Sequence, residues 1–526
     1  MPKYIVITGG VMSGLGKGLL SASIGRLLKA CGYTVALTKI DPYLNFDAGT
    51  MSPFEHGEVF VLRDGGEVDL DFGHYERFVD IDAKRSHNIT TGIVFDKVIR
   101  NERKGNYLGK TIQLIPHVTD EIKRRIRDNS KGADISIIEL GGTVGDIEGL
   151  VFLEAIRQLR GEGALINIHL TFLPVQGIDQ KTKPTQHSFI EMRRAGLMPD
   201  IMVGRCKDKL RDSTKRKISM FCSVKPEEVI SDHNLDNVYT LPLLLYEEQI
   251  HKIIQTKLKL DVREPDLGGW KQFTTMYGKG PKVKVGIVGK YARGDTYLSI
   301  QEALAHAGVE SGVNPELIWI DSEVVEKNPS TLSEIDCMIT PGGFGTRGCE
   351  GKIAAIRYVR ENKIPWLGLC LGFQLAVVEF ARNVVGLRGA NSTEMSEETK
   401  DSVIIPHWEA GHNIMGGTMR LGDKKVVFRQ GTEIQKIYGE DTVYERHRHR
   451  YGLNPRYVDK LTDAGLVFSS VCPEDGTVET LEIPDQYFIG VQFHPEFQSR
   501  PNAPHPLFVN MLEAVKNIGL NSIKDR

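Results

Sequence analysis

The sequence lacks several features that would assign it to a specialised class of protein. Lysine and arginine total 66 against 68 acidic residues, so there is no basic excess for sequence-independent nucleic-acid binding. No apolar run approaches the roughly 18 residues of a membrane span. The start, MPKYIVITGG, lacks the charged, apolar and cleavage regions of a signal peptide. We therefore expect a cytoplasmic protein that binds neither nucleic acid nor membrane.

The seven cysteines are scattered through the sequence, and no two of them form a CxxC pair. This pattern does not suit a disulfide framework or a zinc site, and it fits a reducing compartment. Hydrophobic residues make up 40% and charged residues 25% of the chain, as in ordinary globular proteins. A chain of 526 residues is too long to fold around a single hydrophobic core. Domains of roughly 100–200 residues are expected, about two to four in number.

Short β-branched runs alternate with amphipathic helical stretches, which predicts an α/β architecture. The predicted strands of the first half are Tyr4–Thr8, Thr34–Lys39, Asp134–Glu139, Leu165–Leu173 and Ile201–Arg205. Those of the second half are Val283–Gly289, Leu317–Ile320, Cys337–Thr340, Trp366–Leu369 and Tyr487–Gln492. A stretch containing Pro and Gly breaks the pattern between them. We predict two α/β domains at 1–265 and 283–526, joined by a linker at 266–282.

A glycine-rich turn, GGVMSGLGKG at residues 9–18, joins the first predicted strand to a helix. Such a turn offers backbone N–H groups and a helix dipole to phosphate oxygens, and Lys17 adds a positive charge. The match to a P-loop is imperfect, because Gly10 lies one residue too far away and Gly18 replaces the Ser or Thr that usually binds Mg²⁺. The alternative is a generic glycine turn. If the turn binds phosphate, carboxylates elsewhere must hold the metal.

Two segments offer those carboxylates. Glu67, Asp69 and Asp71 alternate with apolar residues, so they share one face if the segment is extended. Glu139 ends an apolar strand, where ligands bind in α/β sheets. Taken alone, residues 67–71 could equally form a solvated edge strand. Together with the glycine loop they favour a Mg²⁺ site, because Mg²⁺ prefers one or two carboxylates plus phosphate oxygens.

The segment IPWLGLCLGFQLAVVEF sets Cys370 between an apolar strand and a helix, with Gly368 and Gly372 on either side. A sharp strand-to-helix turn exposes a thiol at a helix N-terminus, which favours the thiolate. A lone cysteine is more often a small buried hydrophobe, so the residue by itself proves little. Cys349 is set aside as a nucleophile because it lies in a polar loop with no predicted helix after it.

Two further motifs supply partners for Cys370. VQFHPEF offers His494 as a base and Glu496 as a carboxylate to orient it. ITPGGFGTRG offers backbone N–H groups for an oxyanion hole, with Gly343 the best candidate. GxCxGxQ, PGGFG and a late HPE together resemble the class I glutamine amidotransferases. The resemblance implies that the three side chains hydrolyse glutamine through a glutamyl thioester and release ammonia.

Composition and periodicity do not name the acceptor of that ammonia, but a set of sequence blocks points to one. The blocks are GGVMSGLGKG, KIDPYLNFDAGTMSPFEHGEVFVLRDGGEVDLDFGHYERF, NERKGNYLGKTIQ, ELGGTVGDIE, KTKPTQHS, NSTEM and RHRHRY. Together they closely resemble the CTP synthase family over essentially the whole chain. The resemblance implies a P-loop-like, parallel-sheet synthetase (amidoligase) domain followed by a class I glutamine amidotransferase α/β domain.

The resemblance also implies a reaction. ATP phosphorylates O4 of UTP, and ammonia then displaces phosphate to give CTP; phosphate is the better leaving group, and the transfer needs Mg²⁺ and lysines. GTP is the implied allosteric activator, CTP a feedback inhibitor, and a homotetramer the implied assembly. Two alternatives stay open. One is a different ligase with the same two-domain plan, and the other is a nucleotide sensor or polymerising scaffold with an inactive site.

Finally, the resemblance assigns residues to each ligand. Those implied for ATP are Gly14, Leu15, Gly16, Lys17, Gly18, Leu19, Lys39 and Asp71, and those for Mg²⁺ are Asp71 and Glu139. Those for UTP and CTP are Ser13, Asp146, Ile147, Glu148, Lys181, Thr182, Lys183, Pro184, Thr185, Gln186 and Lys217. Those for glutamine are Gly343, Leu371, Gly372, Phe373, Gln374, Glu394 and Arg450. Arg420 matches a position linked to GTP activation, and His56 one tied to ammonia entry.

Overall fold

The computed structural model describes residues 2–290, 294–407 and 419–524. The chain divides into two compact units. The first contains the residues up to Thr50 together with Val68–Thr275, and the second contains Met51–Glu67 together with the residues from Met276 onward. A short segment of the N-terminal half, Met51–Glu67, therefore packs with the C-terminal unit, although it lies inside the predicted first domain.

The strands are numbered in chain order. They are β1 (Lys3–Gly9), β2 (Val35–Asp41), β3 (Phe60–Val61), β4 (Glu67–Val68), β5 (Asn88–Thr90), β6 (Ile135–Leu140), β7 (Leu165–Leu173), β8 (Val175–Gln176), β9 (Asp179–Gln180), β10 (Ile201–Cys206) and β11 (Val229–His233). They continue with β12 (Lys282–Gly289), β13 (Asn314–Asp321), β14 (Cys337–Thr340), β15 (Trp366–Leu369), β16 (Ala390–Ser392), β17 (Asp401–Pro406), β18 (Arg420–Phe428), β19 (Thr442–His449), β20 (Tyr451–Leu453), β21 (Val467–Val471), β22 (Val478–Glu482) and β23 (Phe488–Val491).

The α-helices are numbered in the same way. They are α1 (Lys17–Ala30), α2 (Pro53–His56), α3 (Asp71–Val79), α4 (Thr91–Arg103), α5 (Thr119–Asn129), α6 (Leu150–Glu162), α7 (Lys183–Arg194), α8 (Asp212–Cys222), α9 (Leu241–Glu247), α10 (Ile250–Lys257) and α11 (Gly268–Met276). The second half contains α12 (Leu298–Ser311), α13 (Ser322–Lys327), α14 (Cys349–Glu361), α15 (Leu371–Asn383), α16 (Glu433–Tyr438), α17 (Val458–Asp463) and α18 (Pro506–Lys524). Among the described residues, no helix combines the length and apolar character needed to span a bilayer.

The first unit is built on a parallel sheet of seven strands in the order β11-β10-β7-β1-β6-β2-β5. All five strands predicted for this half are confirmed, with ends that differ by at most two residues. Both edge strands, β5 and β11, escaped prediction because they are short and carry polar residues. The central strands are buried on both faces, as expected for a parallel sheet covered by helices.

The second unit is built on a mixed sheet of nine strands. One part, β13-β12-β14-β15-β23, is parallel and contains all five strands predicted for this half. The other part, β22-β21-β18-β19, is antiparallel and escaped prediction. Its strands β18 (RLGDKKVVF) and β19 (TVYERHRH) are too polar to be recognised as buried strands. The α/β class and the two-part plan are confirmed.

The predicted linker contains a helix, α11, that is anchored in the first unit. Trp270 is only 1% exposed, and its indole N–H donates to the carbonyl of Tyr239 at 2.7 Å. Its ring lies 5.3 Å from that of Phe78, and the Arg26 guanidinium lies 4.9 Å from the ring centroid. Burying so large a ring stabilises the helix against the unit by about 3 kcal/mol. The Pro and Gly residues therefore mark the flanks of a short helix.

The carboxyl ends of the parallel strands position the residues of interest, as in other open α/β sheets. In the first unit, β1 leads into the glycine-rich turn, β2 ends at Asp41, and β6 leads to Gly142. In the second unit, β14 leads to Pro341 and β15 leads to Cys370. Each unit therefore gathers its chemically useful groups at one edge of its own sheet.

Candidate functional site

Cys370 lies in a strained turn between β15 and α15. Its φ is 51° and its ψ is −99°, a conformation that costs a non-glycine residue on the order of 1–3 kcal/mol. The turn is held because the Cys370 N–H donates to the carbonyl of Val491 at 2.8 Å, and Gly372 packs against Thr340 with no room for a side chain. The sulfur consequently stands at the start of a helix, as predicted. Such strain, maintained by packing, is typical of a nucleophile.

His494 and Glu496 lie beside this turn. Nδ1 of His494 is 2.7 Å from Oε1 of Glu496, and both side chains are buried. Although burial lowers the pKa of His494, the charges of Glu496 and Cys370 raise it to about 10. The imidazole is therefore protonated at neutral pH and can stabilise a thiolate. The structure brings together the three side chains that the sequence predicted.

The loop that follows β14 forms one wall of the same site. A side-chain carbon added at Gly342 would lie 2.8 Å from Cε1 of His494 and 3.5 Å from Cβ of Cys370, so only glycine fits there. Gly342, Gly343, Cys370 and His494 line a cavity of about 100 Å³. Acyl transfer requires a nucleophile, an acid–base group and backbone N–H donors around one cavity, and this site can provide all three.

Replacing Glu496 by Gln tests the source of the His494 charge. We expect glutamine hydrolysis to fall about a hundredfold or more, since the imidazole loses the carboxylate that orients it. The pKa of His494, about 10 in the native protein, should fall because only Cys370 then opposes the effect of burial. The high-pH limb of the rate profile should move to lower pH, whereas Glu440→Gln, at an exposed site, should leave the profile unchanged. An unshifted limb in Glu496→Gln contradicts this assignment.

The same shift has a consequence for stability. The pKa of His494 is raised in the folded protein to about 10. The protonated imidazole therefore stabilises the fold fully below the ordinary histidine value of about 6.5. This contribution is lost as the pH rises through about 10.

The residues implied for glutamine binding occupy different environments. Leu371, Gly372 and Phe373 are buried at the start of α15. The Gln374 amide donates to the carbonyl of Tyr451 at 2.9 Å. Oε1 of Glu394 accepts the N–H of Gly345 at 2.7 Å, which ties Glu394 to the loop after β14. Their role in binding glutamine stays a prediction.

Arg450 is exposed at the end of β19, whereas Arg448, two residues earlier, lines the cavity beside Cys370. Sγ of Cys370 is 3.7 Å from the Arg448 carbonyl, and Nε of Arg448 is 2.8 Å from Oε1 of Glu67. Two arginines spaced by two residues in RHRHR are alike in sequence, so the sequence pattern could not choose between them; in the structure Arg448 lies on β19 and Arg450 follows its last residue. Glutamine binding by Arg450 stays a prediction.

Further residues of this site were missed by sequence reasoning. Nε2 of Gln492 is 3.9 Å from Sγ of Cys370, and its Oε1 accepts a hydrogen bond from the Gln374 amide at 3.3 Å. Glu58 and Val59, from the short N-terminal segment, line the cavity. Gln492 was within reach of prediction, since it precedes His494 by two residues on the same strand end. No periodicity in the sequence signals Glu58 or Val59.

The expectation that no helix follows Cys349 is wrong. A helix, α14, begins at Cys349, so the residue does not lie in a loop. Its thiol is nevertheless buried, it donates to the carbonyl of Gly345 at 3.3 Å, and burial raises its pKa. Cys349 is a structural residue.

The first four residues of the basic run RHRHR lie in β19, and Arg446, His447 and His449 are buried, where a solvated surface would be the usual expectation. His447, His449 and Glu479 form a buried group whose ligand atoms lie within 4.8 Å of one another, a spacing that could suit a metal. The guanidinium of Arg420 lies 2.8 Å from Oε1 of Glu479 and 3.2 Å from Nε2 of His449. Arg420 also pairs with Asp475 at 3.2 Å. The Arg420 guanidinium therefore already supplies a positive charge beside Glu479 and His449, where a metal ion would otherwise bind.

In the first unit, the glycine-rich turn has the form of a phosphate loop. Gly14 and Gly16 adopt left-handed φ values of 71° and 95°, which favour glycine, and α1 begins at Lys17. The Lys17 ammonium donates to the Gly142 carbonyl at 2.7 Å, and burial lowers its pKa. Gly18 packs against Asp71 so closely that any side chain would collide with the carboxylate. Asp71 thus occupies the space of the Ser or Thr hydroxyl that a standard P-loop would carry.

A buried charge cluster surrounds this loop. Lys39 donates to Asp71 and, at 2.9 Å, to Asp69, and its Nζ lies 3.7 Å from Asp41. Burial opposes the charged form, yet these carboxylates raise the pKa of Lys39 well above its usual range. Glu139 accepts the Tyr75 hydroxyl, and burial together with the charge of Asp71 raises its pKa to about 7.

The cluster fits a divalent cation. With all four carboxylates ionised, Asp41, Asp69, Asp71 and Glu139 would outnumber the two ammonium groups, Lys17 and Lys39, by two negative charges; burial opposes that state and raises the pKa of Asp41 and of Glu139 to about 7. Mg²⁺ prefers this type of ligand, one or two carboxylates completed by phosphate oxygens and water. A cation would also favour the ionised form of Glu139, whose protonation burial promotes.

The three alternating carboxylates do not share one face. The strand β4 ends at Val68 and the helix α3 begins at Asp71, so the segment is not extended through residue 71. Asp69 and Asp71 turn toward Lys39, whereas Glu67 pairs with Arg448 in the second unit. The onset of the helix, driven by its amphipathic sequence, separates the three residues.

The residues implied for UTP and CTP have local contacts. The Asp146 carboxylate accepts the N–H and the hydroxyl of Thr143, each at 2.7 Å. The Gln186 amide donates to Thr182 at 3.2 Å, and Lys217 is exposed on α8. These contacts order the segments without defining a uridine pocket, so the assignment stays a prediction.

A hollow of about 350 Å³ opens beside the phosphate loop. The glycine-rich turn contributes Met12, Gly14, Leu15 and Gly16, and the other walls include Phe172, Arg205, Leu235, Val238 and Leu241. Its size and apolar lining suit a flat ring next to a phosphate group. The family resemblance assigned Gly14, Leu15 and Gly16 to ATP, but the residues of the other walls were not identified from the sequence.

The fold and the two sites define a glutamine-hydrolysing ligase with one nucleotide-binding unit and one glutaminase unit. Residues 3–260 match the family model "CTP synthase N-terminus", and residues 294–514 match "Glutamine amidotransferase class-I". The chain is 52% identical to the CTP synthase of Pyrococcus furiosus, with 98% of each chain covered. It is also 52% identical to that of Archaeoglobus fulgidus, covering 97% of this chain and 98% of the relative. The chain belongs to the CTP synthase family.

Among solved structures, the chain is similar to the glutaminase domain of Trypanosoma brucei CTPS with bound acivicin, at 38% sequence identity and a TM-score of 0.43. The match includes 45% of this chain and 94% of the Trypanosoma chain. The family's substrates are ATP, UTP and glutamine.

Proposed function

We propose that this chain converts UTP to CTP in two coupled steps. ATP phosphorylates O4 of UTP, and ammonia released from glutamine at Cys370 displaces the phosphate. The observation that carries the proposal is the pairing, in one chain, of a Cys370–His494–Glu496 site with a phosphate loop bordered by Asp71 and Glu139.

In the glutaminase step, the Cys370 sulfur attacks the amide carbon of glutamine. N–H groups of the loop around Gly343 stabilise the negative charge on the carbonyl oxygen. His494, protonated at neutral pH, gives its proton to the departing ammonia. Water then releases glutamate from the thioester, with His494 as the base. Glutamine would be held by Leu371, Gly372, Phe373, Gln374, Glu394 and Arg450.

In the synthetase step, the backbone N–H groups from Gly14 to Leu19 hold the ATP phosphates, and Lys17 and Lys39 neutralise the transferring group. Asp71 and Glu139 would hold Mg²⁺, which supplies charge stabilisation to the phosphoryl group when bound. The apolar hollow beside the loop would receive the adenine ring. Ser13, Asp146 to Glu148, Lys181 to Gln186 and Lys217 would bind UTP, and part of that set would bind CTP.

Regulation and assembly rest on the family resemblance. We propose CTP as feedback inhibitor, GTP as activator and a homotetramer in the cytoplasm, with functional domains at 1–265 and 283–526 and a linker at 266–282. Exposed large apolar side chains such as Leu108 and Ile147 support self-association. Because the side chain of Arg420 is only 9% exposed and is ion-paired, its link to GTP is better explained by an indirect effect than by direct contact.

UTP-dependent ATP hydrolysis tests the proposed reaction. We expect added UTP and ammonia to raise phosphate release from ATP at least about tenfold, because transfer to O4 consumes ATP and displacement by ammonia then releases the transferred phosphate. Uridine, which lacks phosphates, should not replace UTP. Chelation of divalent cations should abolish the release, and added Mg²⁺ should restore it. If UTP does not stimulate phosphate release, the chain is a different ligase of the same plan.

A further inference from the structure

A buried lysine in the second unit is not accounted for by the proposed reaction. Lys352, on α14, is 0% exposed. Its ammonium donates to the carbonyl of Pro341 at 3.0 Å. The charged and titratable groups that act on it are Lys290, Cys349 and Cys370, and burial together with Lys290 lowers its pKa to about 7. Burying a lysine in this way costs free energy, which its hydrogen bond to Pro341 offsets only in part.

The bonded carbonyl belongs to the first residue of the loop that borders the catalytic pair. In a planar trans peptide the C=O and the following N–H point in opposite directions. Holding the Pro341 carbonyl on the Lys352 side therefore turns the N–H of Gly342 the other way. Gly342 lies against His494 and Cys370, so the peptide between Pro341 and Gly342 forms part of the wall of the site.

A second lysine, Lys290, forms hydrogen bonds at the other end of the same loop. Lys290 donates to the carbonyl of Phe344 and, at 3.0 Å, to that of Gly345. The N–H of Gly345, in the peptide whose carbonyl Lys290 binds, donates to Glu394 at 2.7 Å. The loop is thus held at both ends by lysines bound to carbonyl oxygens, with the glycine pair between the two attachments.

We infer that Lys352 is a positioning residue for the oxyanion hole of the glutaminase site. It fixes the peptide before Gly342 and thereby sets the direction of the N–H groups of the glycine pair. The inference rests on the proposal that Cys370 is the nucleophile. A displacement of the donors by a fraction of an ångström would weaken them in the transition state much more than in the glutamine complex.

Lys352→Met tests this role, because methionine has a similar unbranched shape and lacks the donor. In the full-length protein we expect kcat for glutamine hydrolysis to fall about tenfold to a hundredfold, with KM changed by less than about twofold. Alkylation of Cys370 by iodoacetamide, which needs no oxyanion hole, should keep its native rate. CTP formation from ammonia should also be unchanged. Arg357→Met, which removes an exposed cation from the same helix, is the matched control and should behave as the native protein.

A second variant, Lys352→Gln, keeps a neutral donor on a shorter side chain and should give a smaller loss of kcat. Native kcat in both variants overturns the inference, as does a loss expressed mainly in KM. A parallel loss of ammonia-dependent synthesis and of Cys370 alkylation in both variants would make Lys352 a core residue only, which also overturns it. Failure of the underlying proposal is distinguishable: glutamine hydrolysis would then survive in Cys370→Ala.

Discussion

Cys370→Ala is expected to abolish CTP formation from glutamine and to leave CTP formation from added ammonia near the native rate. The reason is that the strained turn places the sulfur to form the thioester, whereas ammonia from solution needs no thioester. The glutamine-dependent rate should fall at least about a thousandfold. Steady-state rates with glutamine and with an ammonium salt measure the two activities on one preparation.

Cys337→Ala provides the matched control. Cys337 is buried in β14 of the same unit, and burial raises the pKa of its thiol, so its removal should leave both activities in place. Survival of the glutamine-dependent rate in Cys370→Ala would refute the nucleophile assignment. Loss of both rates would contradict the separation of the glutaminase chemistry from the synthetase chemistry.

Asp71→Asn is expected to have the opposite signature, with loss of CTP formation from both nitrogen sources. Asp71 fills the position of the missing P-loop hydroxyl and contacts Lys39, so the substitution removes a metal ligand and a partner of the phosphate-neutralising lysine together. We expect a loss of at least about a hundredfold. Glutamine hydrolysis at Cys370 should persist, and its measurement as glutamate release shows that the second unit is intact.

Glu139→Gln should reproduce this signature, because the two carboxylates are proposed to hold the same cation. Asp80→Asn is the control: Asp80 follows the same helix, α3, and is half-exposed beside Lys29. It should retain both activities. If Asp71→Asn keeps ammonia-dependent synthesis, the metal is held elsewhere, and the charge excess around Lys39 has another purpose.

Local sequence patterns were sufficient for much of the fold. Continuous apolar runs identified the central parallel strands, because a strand buried on both faces is apolar along its whole length. The turns at Gly16 and Cys370 were also local, since each depends on glycines and a following helix within a few residues. The strands β18 and β19 were not predicted because they are polar. Their charged side chains are paired with residues distant in sequence, as Arg420 is with Glu479, and no local pattern reveals such pairs.

The sequence by itself determined the α/β class and the two-part plan, and it predicted Cys370, His494 and Glu496 as the glutaminase residues, because these follow from short motifs with fixed local geometry. Tertiary structure alone decided which groups complete the sites. It brought Glu58 and Val59 to the Cys370 cavity, replaced a missing hydroxyl by Asp71, and set Lys352 behind the Pro341 carbonyl. Such contacts join segments far apart in the chain, and they depend on how sheets and helices pack rather than on any local spacing.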